Sequence, residues 1–556
     1  MDQLTGNVTV TVAEELVVPI SINGPTVPLN FNRAGQNARL TFSGTLGQRI
    51  NLGVSGITLG NPCCTPVGAS AIYQPDGTAL LVSTGFMQGG WGSAVLQLPV
   101  TGTYEITIDP ALTYTGNVTV TLSEELAVPI SINGAPVPFI FNRPGQDARL
   151  TFSGTAGQRV TLGLSGITIG SPCCAPVGSA AIYNPDGTPL LSPTSFLGEG
   201  WGSPVLVLPE TGQYAITIDP GLGNMTVTLS EEWVVPISID GAVLPLNFAR
   251  AGQNARLTFD GTVGHRVSLG IKDITVGNVC CGNVASVAIL KPDGTALLSS
   301  QGLQPNIGLG TALLDLPLTG TYAITIDPAK AFTGNITAAL SAELTSPIAI
   351  NGAAVPLDFT RAGRNARLSF TGTVGQLVSV GVTDVTLTSG CCSNAGTVGI
   401  NKPDGTALLS PTNFTSGFGS ATFVLPETGS YTIPVDPAGM NTGNATVLVS
   451  EDVAAPITIN GPTVPVALNR VGQNASLTFN GTLGAQVTVR ITGNPFGTIT
   501  VRVIKPDGTT LVSHNGFAAS FNLPQQTLPM NGVYRINIDP STWVIFGTVT
   551  VGLTTP

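Results

Sequence analysis

The chain of 556 residues is short of charge. It carries 21 Lys+Arg and 31 Asp+Glu, 9% charged in all, where a typical soluble chain has about 25%. Long charged helices and coiled coils are excluded, because they need Glu, Lys and Arg on their outer faces. A general nucleic-acid binder is excluded by a net charge of −10, which offers no basic surface for phosphates. Apolar runs near 18 residues are also missing, since Gly, Thr, Ser, Asn or Pro interrupts every stretch, so no transmembrane segment is expected. Only two His exist, His265 and His514, at non-equivalent places. A Ser/His/Asp set therefore cannot recur, and no HExxH or phosphate-binding loop appears, so no catalytic residue and no enzyme is expected. What is abundant is Gly (69) and Pro (42) in a chain that is 42% hydrophobic, which excludes a charge-rich disordered chain.

Repeats are plain. Pro-Asp-Gly-Thr recurs with Asp76, Asp186, Asp293, Asp404 and Asp507. Ile/Val-Asp-Pro recurs with Asp109, Asp219, Asp327, Asp436 and Asp539, and an Arg-x-Gly phrase with Arg33, Arg143, Arg250, Arg361 and Arg470. Five copies of a unit of about 110 residues follow, long enough to hold a core of its own and too long for a solenoid turn. The boundaries read as repeat 1 at 16–124, repeat 2 at 125–231, repeat 3 at 232–342, repeat 4 at 343–450 and repeat 5 at 451–556. Residues 1–15 form an extra strand, the end of a missing repeat or a donor strand. Its core, Gly6, Asn7, Val8, Thr9, Val10 and Thr11, recurs near the end of every repeat. Six such strands stand against five bodies, so strand donation to another molecule is one expectation.

Within a unit, short alternating apolar and polar runs such as Ala38–Gly44 are separated by turn residues such as Asn23-Gly24 and Pro75-Asp76-Gly77. Helical periodicity is absent. The expected fold is all-β: five tandem β-sandwich domains of jelly-roll or Greek-key type, strung as beads. Tyr104, Tyr214, Tyr322, Tyr431 and Tyr534, just after a turn, read as core tyrosine-corner residues.

Gly35–Gln48, Pro75–Thr78 and Leu98–Pro110 together resemble bacterial secreted β-sandwich repeats. They are similar to pre-peptidase C-terminal domains and to repeats of large surface and RHS-type proteins. The resemblance covers all five units and implies an extracellular or cell-surface accessory, stalk, adhesive or carbohydrate-contacting module. The fifth unit departs most, lacking the cysteines.

All eight Cys come as adjacent pairs, Cys63-Cys64, Cys173-Cys174, Cys280-Cys281 and Cys391-Cys392. A vicinal disulfide, an intermolecular staple and free thiols or metal ligands remain open. Even pairing in a low-charge β chain favours an oxidising compartment. Paired acids at Glu14-Glu15, Glu124-Glu125 and Glu231-Glu232 stand where units meet. They read as a solvated hinge, with interdomain calcium as the sharper alternative; no other cofactor is expected. Asp76 and its equivalents read as turn residues. Arg33 and Asp109, kept in all five copies, read as an ion pair or backbone clamp across the sandwich. Trp91 and Trp201 read as a hydrophobic lid, with sugar stacking as the alternative. Asn7, Asn117, Asn224, Asn335 and Asn444 head Asn-x-Thr sequons.

The leading expectation is an extracellular fibre, stalk or surface array whose partner is itself, with head-to-tail growth by β-strand addition as its sharper form. An adhesin or glycan-binding array is the second. The third is the accessory tail of a larger secreted enzyme or toxin, since the chain opens part-way through a repeat.

Overall fold

The computed structural model describes residues 10–60, 65–170, 175–277, 282–305, 307–387, 394–541 and 545–555. No helix occurs among them, so none is long and apolar enough to cross a membrane. Repeat 1 sets the pattern. Its strands are β1 (Leu16–Pro19), β2 (Val27–Phe31), β3 (Ala38–Gly44), β4 (Arg49–Ser55), β5 (Gly68–Tyr73), β6 (Ala79–Phe86), β7 (Trp91–Gly92), β8 (Leu96–Gln97), β9 (Gly102–Pro110) and β10 (Gly116–Glu124). One sheet has the order β1-β3-β9-β5-β6 and the other β2-β10-β4-β7, with β8 also on β4. The other four repeats keep this order.

The pleat explains why these residues fill these strands. In β3, Ala38, Leu40 and Phe42 are buried while Arg39 and Thr41 are half-buried on the other face. Phe42 stacks on Tyr104 of β9 with ring centroids 5.2 Å apart, and the same Phe–Tyr pair recurs in every repeat. Leu40 and Ile106 of the first sheet meet Leu52, Val118 and Val120 of the second in one core per repeat. Each corner tyrosine is fully buried, and its hydroxyl donates to a carbonyl four residues upstream, as Tyr322 does to Leu318 at 2.7 Å. Tyr322→Phe would remove this bond, and with it the one that the Leu318 N–H donates to the hydroxyl. It should lower the stability of repeat 3 alone by about 1–2 kcal/mol, read as faster amide exchange in 320–328 with the other repeats unchanged.

Five jelly-roll or Greek-key sandwich domains strung as independent beads is not the architecture found. Jelly rolls and Greek keys are antiparallel, yet β1 runs parallel to β3, and its counterpart does so in every repeat. Burial gives the second correction. β4 holds five consecutive buried residues, Ile50 to Val54, and the equivalent strands of repeats 2, 3 and 4 do the same. A strand on the outside of an isolated bead would alternate. The matching strand of repeat 5, Gln486–Thr492, does alternate. The next repeat therefore covers the outer face of β4 in repeats 1–4. The chain is a continuous all-β stack with the nearest-neighbour connectivity of a solenoid array, although unit length had argued against one.

Each closing strand pairs inside its own repeat between β2 and β4 or their equivalents, Gly547–Thr554 included. Of the strand-donation residues, Val10 and Thr11 are exposed and lie in no strand. Gly6, Asn7, Val8 and Thr9 lie outside the described residues.

Candidate functional site

The recurring site is the joint between consecutive repeats. It begins with the Arg-x-Gly turn. Gly145 has φ 71, the left-handed region that suits glycine. This turn of repeat 2 presses onto β4 and β7 of repeat 1. A Cβ on Gly53 would stand 2.0 Å from the Pro144 carbonyl oxygen, and one on Gly92 would stand 2.9 Å from Gly145 Cα. Three glycines from two repeats thus meet backbone to backbone. The arrangement recurs at Gly163 (2.0 Å from Ala251 O), Gly270 (2.1 Å from Ala362 O) and Gly381 (2.5 Å from Val471 O).

The arginine of the turn locks the contact. Arg143 Nε donates to Ser123 Oγ at 2.8 Å, and its Nη2 donates to the carbonyls of Gly24 (2.8 Å) and Leu122 (3.0 Å), all in repeat 1. Arg250, Arg361 and Arg470 grip Ser230, Ser341 and Ser450 in the same way. Burial holds the Arg143, Arg250 and Arg361 guanidinia below their ordinary pKa. The expected Arg33–Asp109 type of clamp is replaced in repeats 2–5 by this grip on the preceding repeat. Asp109 instead faces the Asn37 side-chain amide, from which it accepts at 2.9 Å when that amide is oriented with its nitrogen toward the carboxylate. Arg250→Ala should strip the donor from Ser230 and Leu229 O. It should weaken the joint between repeats 2 and 3 by about 1–3 kcal/mol, read as earlier cleavage near residue 232 by a nonspecific protease.

The paired acids diverge. Glu125 has a side chain only 1% exposed and receives the Arg49 guanidinium of the preceding repeat, Nη2 to Oε1 at 3.2 Å. Glu232 meets Arg159 likewise, and Glu343 takes Arg266 and Arg367. Glu124 accepts from Asn23 and Gln48 (3.4 Å each), and Glu231 from Gln158 at 3.3 Å. At the front of the chain, Glu15 pairs with Arg39 at 3.1 Å and the Glu14 carbonyl accepts from Gln36. The two carboxylates of a pair face different partners. Among the described residues no group of three or more His, Cys, Asp or Glu forms a metal-holding cluster. The fourth joint differs, because Leu377 replaces the arginine. There Asp452 accepts from Thr422 Oγ1 at 2.7 Å, and burial raises its pKa to about 6.

Each joint adds a polar pair of its own. Asn51 donates to Asp147 at 2.8 Å in the first; Glu199 pairs with Lys330 in the second; Asp240 pairs with Arg364 in the third; Asn474 donates to Ser420 O at 3.0 Å in the fourth. Beside the first joint opens a cavity of about 580 Å³, lined by Arg49, Asp147, Arg149, Tyr183 and Asp219 among others. Buried Asp147 faces Asp219 at an exposed strand position, and this is the only repeat with Asp–Asp where the others have Asn37, Asn254, Asn365 and Asn474. Burial first and the Asp219 charge second push Asp147 up to about 8.

Trp91 and Trp201 are half-buried against the cores of their repeats, next to the joint residues Gly92 and Gly202. Asp76 sits in an exposed turn, where it accepts from Thr78, and this bond lowers its pKa. Cys63-Cys64, Cys173-Cys174, Cys280-Cys281 and Cys391-Cys392 all lie outside the described residues. The glycine triad escaped the sequence reading. Its signal was a pair of glycines, Gly53 and Gly92, that recurs as Gly163 with Gly202, Gly270 with Gly310 and Gly381 with Gly419, and is lost in repeat 5.

No protein-family model matches the sequence, and no curated protein matches it. Among solved structures, the pre-peptidase C-terminal domain of a Bacillus anthracis collagenase aligns over 18% of this chain and 95% of its own, at 15% identity and a TM-score of 0.16. A periplasmic inhibitor of g-type lysozyme from Aeromonas hydrophila aligns over 18% of this chain and 98% of its own (14% identity, TM-score 0.15). A human CUB1-EGF-CUB2 segment of MASP-1/3 aligns over 38% of this chain and 100% of its own (9% identity, TM-score 0.14). The chain is similar to these β proteins over small parts of its length.

Proposed function

We propose that this protein is an extracellular structural array, a stalk or spacer in which repeats of the secreted pre-peptidase C-terminal kind hold whatever they carry at a fixed distance. The joint is the observation that carries the reading. Four consecutive joints reuse one backbone-on-backbone contact and one arginine grip. A spacer needs neighbouring units that do not swivel, and a contact between backbones with no side chain between them leaves little room to swivel. The sparse surface charge and the paired cysteines support an extracellular setting.

Small-angle scattering with negative-stain imaging tests this. A single population of stiff particles with evenly spaced repeats is expected. Freely hinged necklaces, or particles whose repeat spacing varies from molecule to molecule, would remove the reading.

A further inference from the structure

The cavity of about 580 Å³ at the first joint is built on the first sheet of repeat 2. Its floor belongs to three neighbouring strands, Ala148–Gly154, Gly212–Pro220 and Gly178–Tyr183. Register sets Arg149 beside Thr217, and Ala215 beside Tyr183, on the face opposite the core residues Leu150 and Ile216. Ala94 and Val95, between β7 and β8 of repeat 1, line it too, so the cavity spans the joint.

This face holds an arginine that has lost its counter-ions. In repeat 1 the equivalent Arg39 donates to Glu15 and to Glu105, at 3.1 Å each. In repeat 2 Ala215 stands where Glu105 does, and Glu125, the counterpart of Glu15, is taken by Arg49. Among the described residues the Arg149 guanidinium makes no hydrogen bond and no ion pair. No arginine lowers the pKa of Asp147 or Asp219 either, so the cation stands apart from the two acids. Alanine in place of glutamate also deepens the face. Ala215 is only 5% exposed, and the corresponding hollow in repeat 1, beside Tyr73 and Glu105, measures about 320 Å³.

The chemistry of the lining selects a ligand class. An unpaired guanidinium is best met by a planar carboxylate, which it can hold through two hydrogen bonds. A single guanidinium matches a single negative charge, and the neighbouring carboxyls oppose a phosphate dianion. The half-buried ring of Tyr183 suits a flat apolar face of C–H groups. Thr217, Gln213 and Asp219 can exchange hydrogen bonds with hydroxyls, and the volume is that of a small-ligand cleft. A ring with an apolar face, several hydroxyls and one carboxylate is an acidic sugar. We infer that the cavity between repeats 1 and 2 binds a saccharide bearing a carboxylate, which Arg149 receives while the sugar ring lies against Tyr183. Burial of Asp147, which keeps it protonated up to about pH 8, lessens the repulsion such an anion meets at neutral pH. One site per chain is expected. Repeat 3 keeps Arg256 and Ala323 but has Leu290 for Tyr183, while repeats 4 and 5 have Asn401 and Ile504 there.

Isothermal titration calorimetry on the full chain at neutral pH tests the site. Trigalacturonate and sialyllactose are the carboxylate probes, lactose the neutral one and inorganic sulfate the bare anion. One carboxylate probe should bind at one site per chain. Which of them does so separates a uronate polymer from a sialylated glycan as the source. Lactose and sulfate should give no binding heat. Ala215→Glu, which installs the residue repeat 1 carries, should abolish binding, and Arg149→Gln should weaken it about tenfold or more. Arg256→Ala in repeat 3 should leave it unchanged. Circular dichroism checks the fold of each variant, and Arg149→Gln alone decides the matter should Ala215→Glu fail to fold. The inference is overturned if neither carboxylate probe binds, if lactose or sulfate binds as well as they do, or if a folded Arg149→Gln variant binds like the parent. Stiff particles that bind none of the probes would remove this site and leave the spacer reading standing.

Discussion

Gly163→Val is expected to unlatch repeat 3 from repeat 2 while both stay folded. The added Cβ would stand 2.0 Å from Ala251 O, 2.4 Å from Ala251 C and 2.9 Å from Gly252 N. All three are backbone atoms, so no side chain can rotate away. Something must move, and the ladders decide what. Gly163 is paired with Thr228 on one side and Gly202 on the other, inside the second sheet of repeat 2. The turn of repeat 3 is held to that sheet by the joint alone. The turn therefore lifts, and the Arg250 grip on Ser230 and Leu229 O goes with it. Overpacking of this kind costs about 1–3 kcal/mol, and the lost grip adds to it. Scattering should show a broader distribution of dimensions than the parent, with unchanged far-ultraviolet dichroism. Repeat 5 supplies the internal control, because its equivalent strand already carries Arg490 and folds with Val489 and Ile491 buried. An undisturbed scattering profile for Gly163→Val would mean that the glycine contact is not what fixes the joint.

Because the units are similar and stacked, the effect should be local. Stability in such arrays is approximately a sum of unit terms and neighbour terms. One broken joint removes one neighbour term and leaves three. The same logic explains the scarcity of charge. A joint made of glycine backbone has no space for long ionic side chains, and the ions present at joints are engaged: Glu125 with Arg49, Glu232 with Arg159, Lys330 with Glu199. Low charge had suggested a surface permissive for packing against other copies. The packing it serves most clearly is between successive repeats of one chain.

The sequence made some of this readable and hid the rest, for physical reasons. Repetition of Pro-Asp-Gly-Thr marks a turn whose side-chain acceptor, Asp76, works within two residues, so local reading suffices. The corner tyrosines are similarly local, each hydroxyl reaching four residues back. The joint is not local. Arg143 bonds to Gly24, 119 positions away, and nothing near Arg143 names that partner. An Arg and an Asp present in every copy suggested an ion pair, but equal conservation across copies is also what a neighbour contact produces. Gly53 inside a strand reads as a weakness or a close approach, and the Arg490 that stands at the equivalent place in repeat 5 shows that the strand itself does not require glycine there. Independent beads were expected because each unit has enough apolar residues for a core, and it does; core size says nothing about what covers the outer face of β4.

Asp147→Asn should stabilise repeat 2 at alkaline pH and flatten its pH dependence. The cause is the carboxyl pair that buried Asp147 makes with Asp219. Asp147 is 7% exposed, accepts from Asn51 of repeat 1, and faces Asp219, with Glu125 adding a further like charge and Arg49 and Arg149 lining the nearby cavity. Desolvation and the Asp219 charge raise its pKa to about 8, against an ordinary value of 3.8. Between those values the folded state binds more protons than the unfolded chain, so the slope of stability with pH is negative. The stabilisation is complete below about pH 3.8 and is lost as pH rises through about 8. The loss is on the order of a few kcal/mol, at 1.36 kcal/mol per pKa unit. Protonated Asp147 supplies the donor that an amide supplies in repeat 1, where Asn37, oriented with its nitrogen toward the carboxylate, donates to Asp109 at 2.9 Å. Asparagine at 147 would supply it at every pH and still meet Asn51. Asp327 and Asp436 occupy exposed strand positions, yet desolvation by their surroundings raises each to about 6, and they give repeats 3 and 4 a milder slope of the same sign. Amide exchange, corrected for intrinsic rates and followed in 148–154 and 212–220, should show the variant better protected than the parent at pH 8 and equal to it at pH 4. Equal protection at both pH values, or a variant weaker at pH 8, would show that the Asp147–Asp219 pair does not carry the proton assigned to it.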